Sequence, residues 1–141
     1  MSVPAPSPIR ILVADDFAVV REGVKALLER QADLRVTVFA VDGMDAVEKA
    51  TKGDVDLVIL DIAMPKLTGL QAVREIARRR PDLPILLLSM HADEQYFFEA
   101  VAAGAAGYVL KQQADRDIIA ACRAVPCYGA NRSSTRRHSA R

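Results

Sequence analysis

The feature of this sequence that most constrains its fold is an alternation, repeated five times, between a short apolar run and an amphipathic segment. The runs are continuous and rich in β-branched residues or leucine, which is typical of strands buried on both faces of a parallel sheet. They predict strands at residues 9–14, 36–40, 57–60, 85–88 and 108–110. Arg35 and Thr37 give the second run the polar character of an edge strand.

The segments between the runs repeat apolar residues at helical spacing and therefore predict amphipathic helices. Their apolar stripes are Val20, Val24, Leu27 and Leu28; Ala46, Val47 and Ala50; Leu70, Val73, Ile76 and Ala77; Phe97, Phe98 and Val101; and Ile118, Cys122 and Val125. Five strand–helix units in series predict an α/β fold with a doubly wound parallel sheet. Right-handed crossovers leave few topologies, and we expect the flavodoxin-like strand order 2-1-3-4-5.

The composition indicates one ordinary domain with its own core, because the chain has 141 residues and 51% of them are hydrophobic. We expect a disordered segment at 1–8, a folded domain at 9–125 and a disordered basic tail at 126–141. The net charge is +1, and since residues 129–141 alone carry +4, the rest of the chain carries −3. We see no signal peptide and no apolar run long enough to cross a bilayer, so we expect a cytoplasmic protein without membrane contact.

Polar side chains stand where the predicted strands end. They are Asp15 and Asp16 after the first strand, Asp61 after the third, Ser89 after the fourth and Lys111 after the fifth. In the order 2-1-3-4-5 these ends converge on one crevice beside the switch point between strands 1 and 3, where such sheets bind ligands. Three carboxylates in one crevice repel one another unless a cation neutralises them, and carboxylate oxygens suit Mg²⁺. Because Mg²⁺ favours phosphate as a further ligand, the set predicts phosphoryl transfer to a carboxylate.

These residues give the sequence a resemblance to the receiver domains of two-component response regulators, specifically those of the NarL/FixJ (LuxR-type) branch. The resemblance covers residues 9–125. It rests on ILVADD at 11–16, REGVKALL at 21–28, DLVILDIAMPKLTGL at 56–70, LLLSMHADEQYFFEAVAAGAAGYVLK at 86–111 and ACRAV at 121–125. Asp61 followed by Met64, Pro65 and Gly69 is a specific signature of these domains.

The resemblance implies a role for each acidic residue. Asp61 resembles the residue that accepts the phosphoryl group. Asp15 and Asp16 resemble the acidic pair that holds Mg²⁺ together with Asp61, and the backbone carbonyl of Ala63 corresponds to a further ligand. If these residues stood alone, the Asp pair and Asp61 would be interpreted as helix caps or turn residues.

The remaining polar residues resemble the parts that read the phosphoryl group. Lys111 and Ser89 resemble the ammonium and the hydroxyl that contact it, and Ser89 with Tyr108 resembles the pair whose rearrangement switches the domain. Tyr108 also fits plain strand packing. His91 lies two residues beyond Ser89 and is a candidate modulator of the rate at which water attacks the acyl phosphate, or an ordinary surface histidine.

The resemblance also implies partners. A sensor histidine kinase would supply the phosphoryl group, phosphorylation would favour a homodimer, and the protein would act as a switch that catalyses only its own phosphorylation and dephosphorylation. Relatives bind DNA through a helix-turn-helix domain that controls transcription, and nothing after Val125 resembles one. We therefore expect the DNA-binding domain to be absent from this chain, which fits a stand-alone receiver, a truncated chain and a chain that diverges from its relatives after Val125.

Two departures and three alternatives complete the comparison. Phe17 stands where relatives of this branch commonly have histidine, and Gln112 follows Lys111 where a proline would favour a cis bond. A phosphohydrolase of the haloacid dehalogenase type would need an aspartate at Ala63, and a flavin-binding module would need a loop without the repelling carboxylates of Asp15 and its neighbour. The sequence has no GxxxxGK[ST] motif, which excludes nucleotide hydrolysis of the P-loop type. A degenerate receiver that only binds partners is disfavoured because every expected polar position is filled.

Overall fold

The computed structural model describes residues 7–64, 66–90 and 94–125. Its strands are β1 (Ile9–Ala14), β2 (Leu34–Ala40), β3 (Leu57–Asp61), β4 (Ile85–Ser89) and β5 (Gly107–Leu110). Its helices are α1 (Ala18–Leu28), α2 (Gly43–Lys52), α3 (Gly69–Arg79), α4 (Glu94–Ala103) and α5 (Ala114–Ala124), and a 3₁₀ turn at Lys111–Gln113 precedes the last of them. All strand pairs are parallel and the order is β2-β1-β3-β4-β5, which confirms the predicted doubly wound, flavodoxin-like topology.

Two hydrophobic layers cover the two faces of the sheet, because successive strand residues point to opposite sides. On β3, Val58 and Leu60 face α2, α3 and α4, whereas Leu57 and Ile59 face α1 and α5. All four side chains are fully buried. This burial on both faces explains why the central strands are continuous apolar runs rather than alternating ones.

The bounds of β1 match the prediction, and each of the other four strands differs from it by one or two residues at one end. The largest difference is β2, which starts at Leu34 rather than residue 36, because Leu34 is buried and pairs with Ile9 at the start of β1. β2 is an edge strand, as Arg35 and Thr37 predicted, and both of those residues are exposed.

The prediction for the buried face of α4 was wrong. The expected stripe was Phe97, Phe98 and Val101, but the structure buries Ala100 and Ala103. These small residues face the sheet, which leaves Phe97 half-buried and Phe98 63% exposed. Phe97 and Phe98 are adjacent, and one helix face cannot bury two consecutive residues.

Parts of the predicted organisation fall outside the described residues. They are residues 1–6 of the expected N-terminal segment, the whole expected tail at 126–141, Pro65 and His91. Within the described part, no helix combines the length and the apolar character that a membrane span requires.

Candidate functional site

Buried polar side chains are concentrated at one edge of the sheet. Among the described residues, the buried polar or charged ones are Asp15 (1% exposed), Asp61 (3%) and Ser89 (0%). Each stands at the carboxyl end of a strand or directly after it. Since burying a polar group costs free energy unless it is paired, three such groups together indicate a functional site rather than a stabilising one.

The register of the sheet brings these ends to one level. Ala14 pairs with Leu60, so that Asp15 and Asp61 come next on neighbouring strands. Ser89 pairs with Leu110, and Lys111 follows directly. The parallel strand order therefore collects residues that are distant in sequence at the predicted crevice, where α/β sheets bind ligands.

Asp15 is fixed through three of its own groups. Its N–H donates to the carbonyl of Ala40 at 3.1 Å, its Oδ1 accepts from the N–H of Phe17 at 3.0 Å, and its carbonyl accepts from Nη1 of Arg21 at 2.7 Å. Phe17 is the N-cap of α1 and makes no side-chain capping bond. The acidic pair is therefore not a helix cap, which is the interpretation its position alone would favour.

Asp61 and the loop that follows it are held by close backbone packing. Asp61 Oδ1 accepts a long hydrogen bond, 3.3 Å, from the N–H of Ala63, an exposed residue. The N–H of Gly69 at the start of α3 donates to the carbonyl of Ile62 at 2.8 Å. A Cβ at Gly69 would lie 2.3 Å from Ile62 Cα and 2.5 Å from the carbonyl oxygen of Asp61. Thr68 caps α3, so Asp61 is not a helix cap either.

Lys111 supplies the positive charge of the cluster. Its Nζ donates to Asp61 Oδ2 at 3.0 Å and lies 3.5 Å from Asp15 Oδ2. Burial by itself would lower the pKa of the Lys111 ammonium, but the hydrogen bond and charge of Asp61, with the charge of Asp15, raise it overall. Lys111 is therefore a fixed cation at neutral pH.

One lysine does not neutralise three carboxylates. Burial raises the pKa of Asp15, the charge of Asp61 raises it further, and the hydrogen bond from the Phe17 N–H and the charge of Lys111 oppose the shift without cancelling it. The ionised form of Asp15 is thus disfavoured in the protein alone. An additional cation beside Asp15 would remove this penalty.

The carboxylates have the geometry of a metal-binding group. One oxygen from each of Asp15, Asp16 and Asp61 lies within 4.8 Å of the others. Asp15 Oδ2 and Asp16 Oδ1 are buried and accept no hydrogen bond within the described structure, although the former is at ion-pair distance from Lys111. Oxygen atoms that are shielded from water and still lack a donor are suited to a hard cation such as Mg²⁺.

The predicted switch residues, Ser89 and Tyr108, lie on β4 and β5. Ser89 is fully buried at the end of β4. Tyr108 on β5 is half-buried, and its ring packs edge-to-face on Phe97 at 6.1 Å between centroids. His91 lies outside the described residues. The roles of all these residues, and of Ala63, stay predictions.

Arg21 is a polar contact of the site that the sequence reasoning missed. The residue was recognised only as part of a matching segment, and its bond to the Asp15 carbonyl joins a side chain to a backbone atom six residues earlier. Helical spacing offers a retrospective signal, because Arg21 lies one turn before Val24 and Lys25 on a helix that packs on the sheet.

Comparison with known proteins identifies what the chain is similar to. Residues 11–123 match the family described as response regulator receiver domain. The chain is 42% identical over 118 residues to the oxygen regulatory protein NreC of Staphylococcus epidermidis (strain RP62A), which covers 83% of this chain and 54% of that protein. It is 38% identical over 122 residues to the transcriptional regulatory protein DegU of Brevibacillus brevis, with 86% and 52% covered. The chain thus spans about half the length of these curated relatives.

Two solved structures support the same similarity. The signal receiver domain of NarL from Mycobacterium tuberculosis superimposes with a TM-score of 0.76 at 32% identity, covering 84% of this chain and 95% of that one. The response regulator domain of CheB from Thermotoga maritima gives a TM-score of 0.77 at 31% identity, covering 82% and 94%.

Proposed function

Since this chain belongs to the response regulator receiver domain family, in its NarL/FixJ branch, we propose that it is a phosphorylation switch of a two-component system in which Asp61 accepts the phosphoryl group. The family consists of signalling proteins rather than enzymes acting on other molecules. The observation that carries the proposal is the position of Asp61: it is buried at the end of β3, bonded to Lys111 and clustered with two further carboxylates.

The residues present fit Mg²⁺ as the cation. Asp15, Asp16 and Asp61 would each contribute a carboxylate oxygen, and the backbone carbonyl of Ala63 would be a further ligand. The support is the all-oxygen donor set and the two buried oxygens that lack donors. When bound, Mg²⁺ would neutralise charge on the incoming phosphoryl oxygens and on the carboxylates.

The chain's own residues would then carry the transfer from the phosphohistidine of a sensor kinase. One oxygen of the Asp61 carboxylate forms a bond to phosphorus while the phosphorus–nitrogen bond of the donor breaks. The imidazole leaves in neutral form after taking up a proton from water. Lys111 exchanges its bond to Asp61 for a phosphoryl oxygen as the carboxylate becomes a neutral acyl group. The reaction needs positioning and charge neutralisation more than further covalent chemistry.

The signal would pass from the phosphoryl group through Ser89 and Tyr108. Ser89 stands on the strand next to Asp61, so a small shift of its hydroxyl would reach a phosphoryl oxygen. Tyr108 lies on β5 beside it and contacts Phe97 of α4. Phosphorylation would thus favour one of two pre-existing arrangements of the β4–α4–β5 region.

The output would be a homodimer that controls transcription. Because the chain spans about half of its curated relatives, contact with DNA would be made by a domain that lies outside the residues matched here. The kinase, the homodimer and the DNA-binding domain are parts of this proposal.

The acceptor is tested by incubating the protein with acetyl phosphate and Mg²⁺ and recording intact masses. The wild-type chain is expected to take up one labile phosphoryl group, and Asp61→Asn none. Asp56→Asn is the matched control, because Asp56 precedes the same strand at its other end. An adduct that persists in Asp61→Asn would remove Asp61 as the acceptor.

The role of Lys111 is tested separately. Lys111→Ala should keep the fold and still accept a phosphoryl group slowly, while the amide resonances of β4, α4 and β5 no longer shift on phosphorylation. A variant that responds like the wild-type protein would reassign Lys111 to neutralising Asp61 in the resting state.

A further inference from the structure

Arg21 is held in an unusual way beside the candidate site. Its Nη1 donates to the backbone carbonyl of Asp15 at 2.7 Å, a short distance typical of a charged donor. Its guanidinium carbon lies 5.7 Å from the centre of the Phe39 ring on β2. Its Nε is buried without a hydrogen-bond partner in the described part of the chain. Phe39 and the Asp15 carbonyl therefore define where the guanidinium lies.

The bond to the carbonyl controls more than one atom. The carbonyl of Asp15 shares a rigid peptide plane with the N–H of Asp16, so fixing the oxygen fixes the plane from which the second acidic residue begins. The other hydrogen bonds of Asp15 in the described structure join it to backbone groups, namely the Ala40 carbonyl and the Phe17 N–H, and Lys111 approaches only its carboxylate. Arg21 is the side chain that reaches this plane from a helix.

We infer that Arg21 is a positioning residue for the acidic pair: by holding the Asp15–Asp16 peptide plane, with Phe39 supporting the guanidinium, it orients both carboxylates for a divalent cation. The inference deepens the proposed function and rests on it. Partners that orient metal-binding residues commonly change metal affinity by about 10- to 100-fold when they are removed.

The contact acts by orientation rather than by direct neutralisation. Within the described structure, Arg21 makes no ion pair with the carboxylate of Asp15 or Asp16, and its bond goes to the backbone instead. A guanidinium that paired with these carboxylates would compete with the cation for the same oxygens. Binding the carbonyl leaves Asp15 Oδ2 and Asp16 Oδ1 available.

The same helix provides a matched comparison. Lys25 lies one turn further along α1, and its Nζ is 5.9 Å from the same Phe39 ring. It makes no hydrogen bond or ion pair with Asp15 in the described structure. If the interaction of a cation with Phe39 served only to pack α1 on β2, Arg21 and Lys25 would be equivalent.

The test compares Arg21→Met, Arg21→Lys, Phe39→Leu and Lys25→Met by two measurements on the full chain. The first is the dissociation constant for Mg²⁺, measured by titration with nuclear magnetic resonance detection. We expect Arg21→Met to weaken Mg²⁺ binding by about 10-fold or more. Arg21→Lys should lose less affinity because one charged donor remains, and Phe39→Leu should lose the least of the three. Lys25→Met should bind Mg²⁺ as the wild type does.

The second measurement is hydrogen exchange of the Phe17 amide without Mg²⁺, which reports the bond to Asp15 Oδ1 directly. In Arg21→Met the Phe17 amide should exchange faster than in the wild type, while the amides of β3 keep their protection. In Lys25→Met the exchange rate of the Phe17 amide should be unchanged. Equal effects of Arg21→Met and Lys25→Met on affinity and exchange would overturn the inference. Absence of Mg²⁺ binding by the wild-type chain would instead contradict the proposed function, and the exchange result would still decide the role of Arg21.

Discussion

Strands β1 and β3 carry an ion pair at their amino ends and a cluster of carboxylates at their carboxyl ends. At the amino ends, Arg10 of β1 binds Asp56, which precedes β3, through its backbone N–H at 2.9 Å and its guanidinium at 3.2 and 3.3 Å. At the carboxyl ends of the same strands, a carboxylate oxygen of Asp15 lies within 4.8 Å of one of Asp61. The first pair is partly exposed and complementary, whereas the second is buried and repulsive.

We infer from this comparison that the partners of an aspartate, rather than its presence alone, separate a structural role from the proposed functional one. The Arg10–Asp56 pair is complete within the chain, and we expect it to contribute little beyond local order, as exposed ion pairs do. The charges of Asp15 and Asp61 are not balanced, because both carboxylates share the single ammonium of Lys111 and the carboxylate of Asp16 lies beside them. A divalent cation would supply the positive charge that this cluster lacks within the chain.

The largest expected difference between the two ends is in metal affinity. Asp16→Ala removes a direct ligand of the proposed ion and should weaken Mg²⁺ binding by about 10-fold or more, since even indirect partners commonly cost that much. Asp33→Ala, at the opposite edge of the sheet, should leave affinity unchanged. Calorimetric titration measures both, and equal affinities would remove Asp16 from the metal site.

Two glycines sharpen the contrast through packing. Gly69→Ala would press a methyl group onto Ile62 and the Asp61 carbonyl, so it should destabilise the fold by about 1–3 kcal/mol in urea unfolding. Gly23→Ala on α1 meets no atom within 4 Å and should stabilise the fold by about 0.5–1 kcal/mol. Shifts of the same sign would show that the loop after Asp61 tolerates movement.

Charged groups at the two ends of the strands should also make the stability of the fold depend on pH in opposite directions. Because the pKa of Asp15 is raised in the folded protein, the metal-free fold should lose stability as pH rises from the ordinary carboxyl range through that raised pKa. Asp15→Asn should abolish this decline, and saturating Mg²⁺ should suppress it in the wild-type chain. Urea midpoints measured across the acidic range test both statements, and a decline that survives in Asp15→Asn would assign it to another group.

At the amino end of β2, Arg123 of α5 donates hydrogen bonds to Asp33 and lowers the pKa of that carboxyl. A lowered pKa gives stability that is present above the ordinary carboxyl range and is lost as pH falls through the lowered value. Arg123→Gln should remove this acid-side loss without changing the response to Mg²⁺. The effect should be small because both side chains are about half exposed.

The smallest expected effect is at Arg10. Arg10→Gln leaves an exposed pair incomplete and should change the urea midpoint only slightly, with Mg²⁺ affinity and phosphorylation as in the wild type. A loss of Mg²⁺ affinity in this variant would mean that the two ends of β1 are coupled, which contradicts the division drawn between them.

The fold was predictable from sequence because buried parallel strands are continuous apolar runs and because few topologies connect five such units. The predicted elements were confirmed, with errors where local pattern competes with packing. Leu34 extends β2 by pairing with Ile9, a contact with no local signal. On α4, the sequence pattern favoured large apolar residues, whereas the sheet accepts the small Ala100 and Ala103.

The candidate residues at the sheet edge were predictable because strand ends converge in this topology, and the structure brings Asp15, Asp16, Asp61 and Lys111 together. Their roles stay predictions. Arg21 could not be found in the same way, since its partner is a backbone carbonyl and any residue type could supply one. The capping box of Thr68 and Gln71 was readable in the sequence, yet it was not recognised there.

The most direct test of the central claim is a crystal of this protein grown or soaked with Mn²⁺ in place of Mg²⁺, with the ion located by its anomalous scattering. We expect one strong peak at the carboxyl ends of β1 and β3, bonded to carboxylate oxygens of the group formed by Asp15, Asp16 and Asp61. No peak at that edge at saturating Mn²⁺, or a peak bound elsewhere, would contradict the account.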